Sequence, residues 1–261
     1  MTRTCLLDAD MVAFRCAASA ENEELDISLE RADLLIERIL RETSADVLEG
    51  WLTGSNNFRY EIDPSYKANR KDKPPPRWLQ DTREHLVVGW GCRISDGCEA
   101  DDELGISQYK GDGNTVIVSN DKDFYMIPGE HYNPINGVAR TVSPREAISH
   151  FYYQLLMGDA ADNIMGYDGK ARKEVPKFLQ SIVDQLHPSQ EELDMFRVVA
   201  TAYASKATDN TWDMRMVRNM NLLWIQREPN QRYSPPEDAL GILNELKKEF
   251  DAENSEEDIP F

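Results

Sequence analysis

The sequence predicts an α/β fold: a mostly parallel sheet flanked by helices, followed by a helical C-terminal part. Three observations carry that expectation. Short β-branched or apolar runs at residues 2–7, 46–53 and 114–118 alternate with segments of helical period. The first and third runs lead into acids, Asp8-Ala9-Asp10 and Asp121-Lys122-Asp123, at the strand end where open α/β sheets keep their chemistry. From Pro144 onward, capping signals and apolar periodicity point to helices.

Composition narrows the class. A chain of 261 residues with 41% hydrophobic content can bury a sizeable core. No apolar run approaches the ~20 residues of a membrane span, and the first residues lack the basic-then-apolar pattern of a signal peptide. The expectation is a cytoplasmic protein with no membrane partner. Cys5, Cys16, Cys92 and Cys98 form no C-x-x-C pair, so they read as reduced core residues and not as zinc ligands. A net charge of -18 argues against a nucleic-acid partner unless charge is segregated. It is segregated here. Acids crowd the tail at Asp251, Glu253, Glu256, Glu257 and Asp258, while cations gather at Lys67, Arg70, Lys71, Lys73 and Arg77, and again at Lys170, Arg172, Lys173 and Lys177.

Taken in order, the first strand ends at Asp8, which either caps the next helix or serves a site. Residues 28–43 place Leu29, Leu34, Ile36, Ile39 and Leu40 at helical spacing, and a second strand follows at 46–53. Tyr66-Lys67-Ala68-Asn69-Arg70-Lys71 then runs into Pro74-Pro75-Pro76, which ends any helix. Cations beside an aromatic suit a single-stranded backbone with a base stacked on Tyr66; an exposed Lys-rich loop is the plainer alternative. A helix at 78–88 and a brief strand at 91–94 lead to Glu99-Ala100-Asp101-Asp102, which opens a helix to about residue 109. Three acids in four positions exceed what capping needs. The clearest strand, 114–118, delivers Ser119-Asn120-Asp121-Lys122-Asp123. Ser143-Pro144-Arg145-Glu146 starts a helix that ends at Gly158-Asp159-Ala160-Ala161-Asp162, where a helical turn would put Asp159 and Asp162 on one side. Gly166-Tyr167-Asp168-Gly169-Lys170 is a turn whose amides can bind phosphate, or whose carbonyls can bind a monovalent cation. Helices at 189–206, 212–226 and 235–250 complete the chain.

No catalytic His motif, nucleophile elbow or Walker-type loop accompanies these acids. Oxygen-only ligands suit Mg²⁺ or Mn²⁺ and disfavour zinc. Two such ions, roughly 4 Å apart, hydrolyse phosphodiesters without a side-chain base.

The order and wording of five blocks resemble the flap-endonuclease superfamily of 5′ nucleases, and most of all its phage 5′→3′ exonuclease branch. They are Leu7-Asp8, Tyr66-Lys67-Ala68-Asn69-Arg70, Glu99-Ala100-Asp101-Asp102, Ser119-Asn120-Asp121-Lys122-Asp123 and Gly158-Asp159-Ala160-Ala161-Asp162-Asn163-Ile164, and the likeness covers about residues 4–180. The resemblance implies a PIN-like catalytic core at 1–142 with a helical arch around 58–90, and a helical DNA-binding part at 143–250 with a helix-three-turn-helix. A disordered acidic tail would follow at 251–261. It implies a metal site of Asp8, Glu99, Asp101, Asp102, Asp121, Asp123, Asp159 and Asp162 holding two Mg²⁺ or Mn²⁺ ions. Lys67 and Arg70 would act on the scissile phosphate. Tyr66, Lys67, Arg70, Lys71, Gly166, Gly169, Lys170 and Lys173 would hold DNA with 5′ ends or flaps, with potassium at the glycine turn. RNA in RNA–DNA hybrids is an expected second substrate, in phage-type replication or recombination. Two departures stand out: Leu52-Thr53-Gly54-Ser55-Asn56 lacks the acid usual at the end of the second strand, and the glycine turn is abbreviated.

Asp258-Ile259-Pro260-Phe261 resembles the acidic tip of bacterial single-stranded-DNA-binding proteins, so Ile259, Pro260 and Phe261 are expected to dock host proteins that recognise such tips. Two rival readings remain. Asp8-Ala9-Asp10 also looks like the nucleophile and acid of haloacid-dehalogenase-type phosphatases, although that family gives no role to Glu99-Ala100-Asp101-Asp102. The missing second-strand acid would also suit a catalytically inactive DNA-binding adaptor working through its tail.

Overall fold

The computed structural model describes residues 2–70, 74–172, 177 and 180–256, with side chains described as far as residue 252. In chain order the first elements are β1 (Thr4–Asp8), α1 (Ala9–Ser19), α2 (Leu25–Thr43), β2 (Val47–Leu52), α3 (Arg59–Ile62), α4 (Leu79–Trp90), β3 (Arg93–Ile94), α5 (Ala100–Lys110) and β4 (Thr115–Val118). A hairpin, β5 (Gly129–Asn133) and β6 (Val138–Val142), precedes α6 (Pro144–Met157) and the short pair β7 (Gly158–Asp159) and β8 (Ile164–Met165). Helices α7 (Gln180–Val183), α8 (Glu192–Ser205), α9 (Trp212–Leu223) and α10 (Ala239–Glu256) follow.

The chain divides into two compact units. The first comprises Met1–Phe58, Asp72–Pro144 and Ile225–Gln231; the second comprises Arg59–Lys71, Arg145–Trp224 and Arg232–Phe261. The boundary expected after residue 142 falls beside one of these divisions. The sequence did not reveal the two exchanges: 59–71, inside the expected arch, belongs with the second unit, and 225–231 returns to the first. Residues 251–256, assigned to a disordered tail, continue α10.

In the first unit the sheet order is β3-β2-β1-β4-β5-β6, parallel from β3 through β5, with β6 antiparallel at the edge. β1 is central because Cys5, Leu6, Leu7 and Asp8 are all buried, as a strand covered on both faces requires. Leu7, Val12, Ile36, Leu52, Leu86 and Val118 meet in one core, each worth about 2 kcal/mol on burial. All four cysteines are buried and none is in a disulfide, as a core role requires. Among the described residues no helix is long and apolar enough to cross a membrane.

Parallel strands send their C-terminal ends the same way, so β1, β2 and β4 open onto one edge of the sheet. At that edge β2 runs into Thr53 and Gly54. A Cβ on Gly54 would run into the Ser95 carbonyl, so close approach of the two backbones forbids any side chain there.

In the second unit Phe151, Trp224 and Tyr233 pack with ring centroids 4.7–5.2 Å apart, and the Tyr152 and Tyr233 hydroxyls meet at 2.6 Å. Arg59, 2% exposed, donates from Nε to the Leu222 carbonyl at 2.8 Å and from a terminal nitrogen to the Trp224 carbonyl at 2.7 Å. It closes the end of α9, where carbonyls lack helical partners. Arg59→Ala is expected to strand those carbonyls and cost about 3 kcal/mol, read as a lower urea midpoint. An unchanged midpoint would contradict this account.

Candidate functional site

The acids of the first unit are set by four local devices. Asp8 ends β1 and caps α1, accepting the Met11 amide at 3.0 Å. Its other oxygen accepts the Ser119 hydroxyl at 2.7 Å, and Ser119 Oγ in turn accepts the Asp121 amide at 3.0 Å. One serine therefore ties the ends of β1 and β4 together. Asp121 then accepts the Asp123 amide at 2.9 Å, which fixes the loop after β4.

Glu99 and Asp102 form a reciprocal capping box at the start of α5. Asp102 is fully enclosed; its oxygens accept the Glu99 and Gln226 amides, both at 3.0 Å. Its carboxylate thus carries a structural load that motif reading had not separated from metal binding. Asp101, between them, is half-buried. Thr53 Oγ1 accepts the Ala100 amide at 3.1 Å and so brings the start of α5 to the end of β2.

Burial is the main reason that Asp8 holds its proton up to about 6, with the charges of Asp10 and Asp121 adding; the Ser119 hydroxyl and Met11 amide oppose the shift. Asp10 was missed as a site candidate in the nuclease reading. It sits in the first turn of α1, accepts the Thr53 amide at 2.7 Å, and is paired with Arg83.

The donor set is chemically apt for a hard divalent cation: carboxylates only, one of them buried and resisting ionisation. Among the described residues no three His, Cys, Asp or Glu side chains close around a single point. The acids share one sheet edge, and a cation there would rest on fewer direct protein ligands with water completing its sphere, the usual pattern for Mg²⁺.

The second unit holds the other candidates. Asp159 and Asp162 are not on a helical turn: Asp159 lies in β7, and the chain reverses antiparallel into β8. Gly158 adopts φ 71°, with the backbone of residues 164–166 where a Cβ would go, so the reversal needs glycine. Asp162 accepts the Tyr66 hydroxyl at 2.7 Å, lies 3.6 Å from Lys67 Nζ and is paired with Arg70. The same two segments are joined by Lys67 N to Asp162 O at 3.0 Å, Asn69 Nδ2 to Ala160 O at 2.7 Å and Asn163 Nδ2 to Ser65 O at 2.9 Å. Tyr66 is 3% exposed, so its ring is not an open stacking platform; it is a buried anchor for Asp162.

At the glycine turn, Gly166 N donates to Lys170 O and Gly169 N to Gly166 O, at 3.0 and 3.1 Å. The turn is closed on itself, with Lys170 exposed. Lys71, Lys173, Ile259, Pro260 and Phe261 lie outside the described residues. Asp63, further along the chain from β2, is held in the second unit by Ser65 and Arg218, at 2.7 and 3.3 Å.

Because the folded protein keeps the Asp8 proton to about 6 while an unfolded carboxyl releases it near 3.8, Asp8 favours the metal-free fold at low pH. That contribution fades as pH rises through 6. Metal-free Asp8→Asn is therefore expected to be more stable than wild type at pH 8, by up to about 3 kcal/mol at about 1.4 kcal/mol per pH unit. The gap should close towards pH 4. Urea unfolding in EDTA across that range measures it, and a destabilised variant at pH 8 would refute the burial account.

No family model matches the chain. It is 29% identical over 160 residues to DNA polymerase I of Deinococcus radiodurans, a match covering 56% of this chain and 17% of that protein. It is 24% identical over 197 residues to the flap endonuclease Xni of a Shewanella species, covering 69% of this chain and 75% of that one. The chain thus spans about a sixth of the polymerase and three-quarters of the endonuclease. Among solved structures, the T5 D15 protein co-crystallised with metal ions superposes with a TM-score of 0.61 at 16% identity, over 96% of this chain and 98% of that one. The bacteriophage T5 D15 flap endonuclease in a pseudo-enzyme-product complex with DNA and metal ions gives 0.59 at 17%, over the same shares. By sequence the chain is thus similar to flap endonucleases, and by fold to the T5 D15 structures.

Proposed function

We propose that the protein is a metal-dependent, structure-specific 5′ nuclease that hydrolyses phosphodiester bonds of DNA from 5′ ends or flaps. The observation that carries this reading is the placement of four acids at one edge of the sheet: Asp8 at the end of β1, Asp121 and Asp123 in the loop that Ser119 ties to it, and Asp101 in the first turn of α5, which Thr53 ties to the end of β2. The similarity to flap endonucleases supports the same reading.

Asp8, Asp101, Asp121 and Asp123 would hold Mg²⁺ or Mn²⁺, with Glu99 and Asp102 fixing the turn that presents Asp101. Asp159 and Asp162 stay in the proposed set on the family resemblance. Two bound ions supply activation of water and neutralisation of charge developing on phosphate. The protein's own share is placement. Ser119 fixes the spacing of the β1 and β4 acids, and Lys67 and Arg70 engage the phosphate. Lys170 offers charge to a duplex backbone, while Gly166 and Gly169, whose amides are satisfied inside the turn, stay in the proposed set on the resemblance. RNA–DNA hybrids, potassium at the glycine turn, a role in phage-type replication, and docking through Ile259-Pro260-Phe261 are finer parts of the proposal that rest on sequence resemblance.

The test is cleavage of 5′-end-labelled flap, blunt-duplex and hybrid substrates with Mg²⁺. Asp101→Ala and Asp123→Ala should each lower cleavage by roughly a thousandfold or more while DNA binding persists. Lys67→Ala should reduce the rate roughly a hundredfold, more than it reduces affinity. Aspartate variants that cut at the wild-type rate would overturn the assignment.

A further inference from the structure

The edge of the sheet has an asymmetry. β1 ends in an acid, Asp8, and β4 reaches one, Asp121, three residues past its end, but β2, the other neighbour of β1, runs out through Leu52-Thr53-Gly54. Gly54 cannot be replaced by an acid in this backbone, since the Ser95 carbonyl occupies the space. A carboxylate nevertheless stands there. Asp10, one turn into α1, accepts the Thr53 amide at 2.7 Å, and it is one of the two acids whose charge reaches Asp8.

Arg83 completes the arrangement. It projects from α4, pairs with the second Asp10 oxygen and donates to the Thr53 carbonyl at 2.6 Å. One guanidinium therefore reads both the carboxylate and the strand end, the two-pronged recognition that arginine provides and lysine does not. Each Asp10 oxygen keeps a lone pair for a further donor such as a metal-bound water, since a carboxylate offers about four acceptor positions. Both side chains are only partly buried, Arg83 at 20% and Asp10 at 32% exposure, so solvent reaches them.

We propose that Asp10 supplies, at the end of β2, the outer carboxylate that strand lacks, and that Arg83 is the positioning residue that holds it towards the divalent ion. The inference rests on the nuclease reading. Charge and position make opposite forecasts for Arg83. Removing a cation near a metal site should tighten metal binding by charge alone, whereas removing a positioning residue should weaken it.

Titration calorimetry of the full-length, metal-free protein with Mn²⁺, alongside thermal melting in EDTA, separates these. Asp10→Asn keeps an acceptor for Thr53 and should fold; it is expected to weaken Mn²⁺ binding roughly tenfold, the usual scale for outer-shell partners. Arg83→Gln should weaken it in the same direction, and the double variant should be no weaker than Asp10→Asn, because both act through one carboxylate. Asp10→Asn binding Mn²⁺ like wild type, Arg83→Gln binding it more tightly, or losses that multiply in the double variant would each overturn the inference. If wild type binds Mn²⁺ and cleaves while Asp10→Asn also binds normally, only this inference falls; if wild type binds no Mn²⁺, the nuclease reading falls with it.

Discussion

Repulsion among carboxylates at the C-terminal edge of a parallel sheet is the constraint on which the first unit depends. Parallel pairing leaves β1, β2 and β4 no choice but to open on the same side, and the residues placed there are negative. Each acid is therefore tied down by neutral donors or by one cation. Asp8 takes an amide and the Ser119 hydroxyl, Asp102 takes two amides, and Asp10 takes an amide and Arg83. These bonds fix positions but do not offset the cost of burying Asp8, which, with a smaller part from the charges of Asp10 and Asp121, makes it reluctant to ionise. A site held this way is preorganised for a cation, because the protein has already met the cost of assembling the ligands.

The second unit solves a different problem, the placement of long, flexible cations. Lys67 takes a left-handed backbone conformation at φ 55°, costly for a residue with a Cβ. Its amide bond to the Asp162 carbonyl and the neighbouring Asn69 and Asn163 bonds hold it there. Segment 65–70 is thus riveted to 159–163, a tertiary anchoring that neither sequence reading of it, nucleic-acid contact or exposed Lys-rich loop, includes. Side-chain entropy that Lys and Arg would lose on meeting a phosphate is partly lost already.

What the sequence disclosed was local. The apolar runs located β1, β2 and β4, and Ser143-Pro144 placed the start of α6 at its observed first residue. The β5–β6 hairpin escaped notice because its strands carry Glu130, His131, Arg140 and Thr141, with no apolar alternation to betray them. A helical turn would put Asp159 and Asp162 on one side, but pairing of Gly158-Asp159 with Ile164-Met165 reverses the chain there instead, a contact the local sequence does not announce. Asp10 had no role in the nuclease reading because its partner, Thr53, lies 43 positions away. The same limit hid the return of 225–231, where Gln226 meets Asp102 across 124 positions. Motif blocks nominated candidate site residues; they did not say which acids are also structural.

A chain of net charge -18 that engages a polyanion must do so at short range. At physiological salt, charges more than about 8 Å apart are largely screened, so the acidic surface neither steers DNA in nor repels it strongly from a distance. What matters is the charge a phosphate meets on contact. In the second unit those cations are already matched: Lys67 and Arg70 with Asp162, Arg172 with Asp168, Arg218 with Asp63. On the proposed reading, a phosphate arriving at Lys67 or Arg70 would replace one anion with another, and for Arg70 the exchange would cost little because that side chain is about half exposed and its pairing is weak in solvent. Engagement then depends on whether Asp162, once released, finds another cation. On that reading the grip on the phosphate would be coupled to the placement of a single carboxylate, and the Tyr66 hydroxyl, bonded to Asp162 at 2.7 Å, is a tie to Asp162 that does not depend on the two cations.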